Sequence, residues 1–215
     1  MIYINKGLEP RSLTEYREST PNASYDGFHA KEDVRKSLLN DQGYICAYCM
    51  SRIELNTTRI EHYVPQNPES NSNVDNMLDL KYGNMLGVCP GNEGYPYEKQ
   101  ICGAHRRNNP LTVNPLNETD VETISYSADG YILSSDAEIS HDFNETLNLN
   151  VDYLVRNRKA ELDKLRESLR KQKETGSWEK KAEKYMRKLI DAQIKDVYCG
   201  ILLWYLRKKA IKRNK

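Results

Sequence analysis

Residues 45–65 read ICAYCMSRIELNTTRIEHYVP, and two features of this stretch organise the chain around it. Cys46 and Cys49 stand two residues apart, the spacing of a turn whose thiolates can reach one tetrahedral ion. Glu61 and His62 then stand side by side in a short segment that Pro65 ends, which reads as a brief strand. Adjacent strand residues point to opposite faces unless the backbone bends, and Pro65 with the loop after it permits that bend.

Working outward, Cys89 and Cys102 lie 40 and 53 residues beyond Cys49, and both sit beside turn formers. Four of the five cysteines thus fall within residues 46–102, which points to metal rather than to disulfides. The expected site is a four-thiolate zinc centre of Cys46, Cys49, Cys89 and Cys102; the alternative is four separately buried thiols. A closed thiolate shell leaves no open position, so this zinc is expected to be structural. Residues 90–101 must then loop out and return. Cys199 lies in an apolar helix and reads as core.

Around this module the periodicity is mostly helical. A short periodic stretch around Leu13 and Tyr16 precedes the break at Pro21-Asn22. A helix is expected from about Ala30 to Leu39, with Val34, Leu38 and Leu39 on one face and Asp41-Gln42-Gly43 stopping it. Residues 66–76 read as a polar loop, and 121–134 as a hairpin around Asp129-Gly130. From Val151 onward Leu154, Leu162, Leu165 and Leu169 recur at helical spacing. A break at Thr175-Gly176 with Ser177 as N-cap is followed by a second helical pattern from Trp178 through Leu189, Val197 and Ile201 to Trp204. A helical hairpin with a basic end, RKKAIKRNK, results.

The chain of 215 residues is 29% charged, with a formal net charge of +1 and a mean hydropathy of -0.80. That near-zero sum conceals an asymmetry. Residues 1–150 carry 12 Lys and Arg against 22 Asp and Glu, whereas residues 151–215 carry 20 against 9. An acidic body with a basic tail suggests a nucleic acid or an acidic protein partner, and a solvated, salt-bridged helix is the alternative. Phosphate binding by that tail predicts steep salt dependence, whereas apolar docking predicts dependence on Leu189, Ile201 and Leu202. No apolar run reaches the length of a membrane span, and MIYINKGLEP lacks the core of a signal peptide. A cytoplasmic protein without a membrane partner is expected.

The order of elements carries a resemblance. Cys46-x-x-Cys49, Glu61-His62-x-x-Pro65, Asn84-Met85-Leu86-Gly87-Val88-Cys89, then Cys102 followed by Arg106-Arg107-Asn108-Asn109 resembles the zinc-braced HNH (ββα-metal) nucleases over about residues 44–112. IYINKGLEPRSLTEYR at the start, Tyr82-Gly83-Asn84, Val113-Asn114-Pro115, the Ser127-to-Ile132 hairpin and TLNLN at 146–150 extend it over about residues 1–160. Those flanks resemble the retron- and Septu-associated subgroup, of which PtuB is the type.

The resemblance implies an endonuclease hydrolysing DNA or RNA phosphodiester bonds as an anti-phage effector. Its implied partners are a PtuA-like ABC- or SMC-type ATPase and, in a retron, a reverse transcriptase with its msDNA. By the same resemblance Glu61 would hold a catalytic magnesium or manganese, His62 would be the general base, and Asn84 would position the histidine-bearing loop or join the metal shell. The family often places His or Asn directly after the last cysteine, where this chain has Gly103; His105 and Asn108 are the nearest candidates for that ligand. Arg106 and Arg107 are candidate phosphate contacts. The competing function is a zinc-braced module that binds nucleic acid or an ATPase with a degenerate site. The fold class expected is α+β in four segments: a helical docking segment (1–40), the nuclease module (41–115), a hairpin and connector (116–150) and a basic helical segment (151–215).

Overall fold

A computed structural model of the chain describes residues 1–66, 78–171 and 178–212. At its centre β1 (Arg59–His62) pairs antiparallel with β2 (Met85–Val88), placing Glu61 opposite Leu86 and His62 opposite Met85. The alternation of a strand then divides the residues. Ile60 and His62 share a face with Met85, whereas Glu61 shares the other with Leu86 and Val88.

The first face is covered by the N-terminal helices α1 (Arg11–Ser19) and α2 (Lys31–Gln42). Leu13, Phe28, Val34, Leu38, Leu80, Tyr82 and Met85 make a small core there, with Ile60 packed against it. α2 runs three residues past the expected Leu39 because Gly43 takes the left-handed conformation (φ 64°) that caps a helix without steric cost. The extension matters, because the buried Gln42 side chain donates to the carbonyls of Ile45 and Gly87 and accepts from the Gly87 amide. One amide thereby fastens α2 to the middle of β2.

The second face belongs to the main core. Met1 and Ile4, the four clustered cysteines, Leu86 and Val88, Tyr126 and Ile132, and the apolar faces of the C-terminal helices are buried together. The four sequence segments therefore share one core. After β2 the chain reaches α3 (Cys102–Arg106), α4 (Glu118–Glu122), the hairpin β3 (Ile124–Tyr126) and β4 (Ile132–Ser134), then α5 (Ala137–His141), which runs into a π-helical turn at Asp142–Thr146. The hairpin expected over 121–134 is thus narrower. Its first residues end α4, whose start is capped by the Asn117 side chain.

α6 (Asp152–Lys171) buries Leu154, Leu162, Leu165 and Leu169, as their spacing predicts. The expected break at Thr175-Gly176, its cap Ser177 and residues 67–76 of the polar loop lie outside the described residues. Beyond them the single second helix is a correction: α7 (Trp178–Asp191) and α8 (Cys199–Lys212) are separate. Between them the Lys195 amide donates to Gly43 O and the Tyr198 amide to Met50 O, and Arg52 holds the Lys195 carbonyl. Tyr198 takes a left-handed conformation (φ 54°). Tertiary hydrogen bonds to the cysteine turn replace the i to i+4 ladder, and three helices stand where a hairpin of two is expected. Leu189, Ile201 and Leu202, on which the apolar-docking alternative depends, are buried in the protein's own core. Among the described residues no helix is long and apolar enough to cross a membrane.

Candidate active site and metal centre

The first polar centre is the cysteine cluster. Ile45 and Arg52 form an isolated bridge across the turn that carries Cys46 and Cys49. The turn closes through the Met50 amide to Cys46 O and the Cys46 amide to Ser51 O, with Met50 left-handed. Cys89 directly follows β2, and Cys102 opens α3. The four Sγ atoms lie within 4.8 Å of one another, and all four side chains are buried. Cys46 and Cys102 are separated by 3.9 Å and Cys49 and Cys89 by 3.8 Å. A tetrahedral zinc with Zn–S bonds of about 2.3 Å demands S···S edges of about 3.8 Å. The donor set and its spacing suit a zinc ion. Hydrogen bonds from Cys102, Cys46 and Cys89 pull the Cys49 thiol well below its usual range, while burial pushes Cys102 up. A cation would ionise such thiols together, since a coordinating thiol is deprotonated outright.

The second centre lies at the end of β1. Glu61 Oε1 accepts from Arg106 Nη1 at 2.7 Å and lies 3.5 Å from the Tyr48 hydroxyl. Arg106 is fully buried. Nη1 also donates to Tyr48 OH and the His62 carbonyl, Nη2 to the Tyr63 carbonyl and Nε to the Asn109 carbonyl. Burial raises the Glu61 carboxyl, with Arg106 and Tyr48 opposing the rise. Burial alone would lower the Arg106 pKa; the Tyr48 and Glu61 groups outweigh it and raise it.

Gly103 explains why the expected ligand position is bare. A Cβ there would stand 2.7 Å from Glu61 Oε2, so any side chain would force the carboxylate to shift. Oε2 therefore faces the N-terminal turn of α3, while the hydrogen bonds described above fall on Oε1.

His62 lies on the opposite face, as strand alternation requires. Its Nε2 is 2.9 Å from Asp79 O, and the Tyr25 ring meets it edge-on with centroids 4.6 Å apart. A carbonyl only accepts, so Nε2 carries the proton and Nδ1 keeps its lone pair in the neutral ring. Burial lowers the His62 pKa, which favours that neutral form. Asn84 braces the turn that follows. Its side chain accepts from the Val64 amide and donates to the Val64 and Leu78 carbonyls, and its own carbonyl accepts from the Tyr63 amide.

The remaining candidates are dispersed. On α3, His105 stands about 200° around from Gly103. Its Nδ1 is 3.0 Å from Thr146 O, and its ring stacks on Tyr97. The structure does not bring it to Glu61. Asn108 is exposed in the turn beyond α3. Arg106, expected on phosphate, faces inward with its donors occupied, whereas Arg107 is exposed with its guanidinium 4.6 Å from the Tyr97 ring centre. Among the described residues the four cysteines are the one group of three or more His, Cys, Asp or Glu side chains close enough to share a metal. Tyr48, Tyr25 and Asp79 escape a reading of the sequence. Tyr48 sits inside the Cys-x-x-Cys turn, where spacing speaks only for the cysteines, and the other two act through tertiary contacts or a backbone carbonyl.

The basic tail divides as well. On α6, Lys159 and Arg166 pair with Asp163, Lys164 with Glu161, and Lys171 with Glu167, and on α7 Arg187 pairs with Glu183. These are the solvated, salt-bridged helices. α8 has no acidic residue between Cys199 and Lys212. Its Arg207, Lys208 and Lys209 are exposed, the two lysines lying over Trp204 and Tyr205.

No protein-family model matches the chain. Over 109 residues it is 28% identical to "Retron Ec83 putative HNH endonuclease" of Escherichia coli, a match covering 46% of this chain and 42% of that protein. Over 149 residues it is 26% identical to "Retron Vc95 putative HNH endonuclease" of Vibrio cholerae serotype O1 biovar El Tor, covering 66% of this chain and 70% of the relative. The matched region thus spans less than half the length of the first relative and a little over two thirds of the second. The chain is similar to HNH endonucleases of retron type.

Proposed function

We propose that the protein is a metal-dependent HNH endonuclease that hydrolyses nucleic-acid phosphodiester bonds. The observation that carries this reading is the end of β1, where Glu61 turns a free carboxylate oxygen to α3 and the neighbouring His62 keeps Nδ1 as an acceptor. One carboxylate oxygen fits magnesium or manganese in this role, since magnesium is usually held by one or two carboxylates with water and substrate phosphate completing the shell. When bound, such an ion polarises phosphorus and steadies the leaving 3′-oxygen. In this reading His62 Nδ1 takes a proton from the attacking water, as general-base catalysis requires. Arg106 and Tyr48 hold the Glu61 carboxylate, and Asn84 holds the turn behind His62. Arg107 and the exposed cations of α8 are candidate phosphate contacts.

The retron names of both relatives support a retron setting; an anti-phage role with a reverse transcriptase and its msDNA rests on the family resemblance. A Septu-type, PtuB-like assignment with a PtuA-like ATPase partner rests on the family resemblance alone. A second reading, a zinc-braced nucleic-acid-binding module with a degenerate site, is favoured by the buried Glu61–Arg106 pair and by the bare Gly103. Cleavage of plasmid DNA and of transfer RNA by the purified full chain with magnesium or manganese, beside His62→Ala, decides between them. Metal-dependent cleavage lost in the variant supports the nuclease, and equal cleavage by both chains removes His62 from catalysis.

A further inference from the structure

On the His62 face of β1 the fold leaves a shielded arginine without a partner. Arg35 stands on α2 one turn after Lys31, so the two share a side of that helix. Arg35 is partly shielded from solvent. The other described arginines shielded to that degree or more are Arg17, Arg106, Arg158 and Arg166. Each of them holds carboxylates or backbone carbonyls. Arg35 has no hydrogen bond and no ion pair among the described residues. A cation drawn partly out of water without a counter-charge costs free energy, and that cost points to an anion supplied from outside.

The space beside Arg35 suits such an anion. A cleft of about 290 Å³ opens there, lined by Tyr25, Arg35, Asn56, Thr58, Arg59 and Ile60. Arg59 is paired with Glu93, and the Thr58 hydroxyl donates to Glu54 O. The Tyr25 hydroxyl and the Asn56 amide carry no hydrogen bond among the described residues and remain as neutral donors. Tyr25 is firmly held. Its amide donates to Asp79 Oδ2, its ring meets His62 edge-on, and Lys31 Nζ lies 4.4 Å from the ring centre. Burial pushes its hydroxyl up to about 12, with the Arg35 charge opposing the rise and Asp26 adding to it, so the group keeps its proton and can donate.

The cleft lies on the same side of the sheet as His62. Ile60 lines it and shares a face with His62, two residues further along β1, which is about 7 Å of strand. Tyr25 is a wall that the cleft shares with His62. Burial lowers the His62 pKa and the Lys31 charge adds to the lowering, so this cation too stands on the histidine's side. Two residues of strand match the scale of one nucleotide step. A nucleic-acid backbone that reaches His62 therefore brings a neighbouring phosphate to Arg35. A guanidinium whose donors are all free can hold a phosphate through two parallel hydrogen bonds. We infer that Arg35, with the Tyr25 hydroxyl beside it, holds the backbone phosphate next to the one presented to His62. Such a contact positions the strand and reads no base. The inference rests on the nuclease reading for the role of His62, but its test reads binding alone.

The test is the salt dependence of binding by the full chain carrying His62→Ala, read by fluorescence anisotropy with labelled duplex DNA, single-stranded DNA and single-stranded RNA. Each neutralised phosphate contributes about 0.9 to the slope of log affinity against log salt for duplex DNA, and about 0.7 for single strands. Arg35→Gln should reduce that slope by about one such step on the polymer bound most tightly, and weaken binding alike for every sequence. Its thermal transition should match the parent's. Arg35→Lys should keep the slope and lose part of the affinity, because the charge stays and the planar fork goes. Arg156→Gln removes an exposed arginine of α6 outside the cleft and should alter neither quantity. Parental slope and affinity in Arg35→Gln, an equal loss in Arg156→Gln, or no binding by the parent to any of the three polymers overturns the inference. A slope reduced by Arg35→Gln, with no cleavage by the unmutated chain, would instead remove the nuclease reading and leave the phosphate contact standing.

Discussion

At the cysteine cluster all four donors turn inward onto one point and nothing is left for a substrate. At the end of β1 the opposite holds: Glu61 gives one oxygen to Arg106 and leaves the other open, and His62 ties up one ring nitrogen and leaves the other. The two centres share the β1–β2 unit and α3, since Cys89 directly follows β2 and Cys102 opens α3. What separates them is the saturation of their groups. A saturated set stabilises, and an unsaturated set that is rigidly supported is where chemistry can occur. The cost of that openness is met by Arg106, whose five hydrogen bonds tie the Glu61 and Tyr48 side chains to three backbone carbonyls of the same module.

The largest effect that could break this contrast is at the saturated centre. Structural zinc contributes on the order of 10 kcal/mol to small folds, so Cys102→Ser should lose the metal and the cooperative thermal transition together. Elemental analysis should find one zinc per wild-type chain and none in the variant. A folded, zinc-free protein would show that the cluster is merely four buried thiols.

At the open centre the pattern should invert. His62→Ala should lower the cleavage rate by about 10²- to 10⁴-fold, the range of general-base contributions, while leaving the melting temperature within a few degrees of wild type. An unfolded variant would mean that His62 is structural after all.

Arg106→Ala lies between the two cases. Removing one partner of a buried pair leaves Glu61 uncompensated and should cost about 3 kcal/mol, readable as a lower urea midpoint with zinc content unchanged. Loss of zinc in this variant would join the two centres into one cooperative unit.

The smallest effect concerns the His62 face of the sheet. Lys6 donates to Met85 O, opposite His62, and lies over the Tyr82 ring, where burial lowers its amine to about 7. An unfolded lysine keeps its proton to about pH 10.4. Between those values the unfolded state binds more protons, so stability should rise with pH, and below about 7 the full penalty of a buried ammonium applies. Urea midpoints at pH 7 and pH 9 should differ more in the wild type than in Lys6→Met, and identical pH slopes would refute the assignment.

Much of this was legible in the chain. Cys46, Cys49, Cys89 and Cys102 announce themselves because a tetrahedral ion demands four soft donors, and cysteines are rare enough for four to stand out. Leu154, Leu162, Leu165 and Leu169 announce α6 because burial on one face imposes a period. Arg106 was legible only as a cation. Its inward turn depends on Tyr48, Glu61 and the distant carbonyls of His62 and Tyr63, and no local pattern encodes that meeting. Nor does local spacing separate α7 from α8, because the separation is enforced by Gly43 and Met50, more than 140 residues away.

The sequence by itself determined which residues could ligate, which faces would be buried, and that the tail is basic. Those properties reside in residue type and in periods of two or 3.6, and they survive without the fold. Only the tertiary structure decided which oxygen of Glu61 stays open, which nitrogen of His62 carries the proton, and which of the two arginines reaches solvent. Each of these depends on a hydrogen bond between residues far apart in sequence, and such a bond has no period to read.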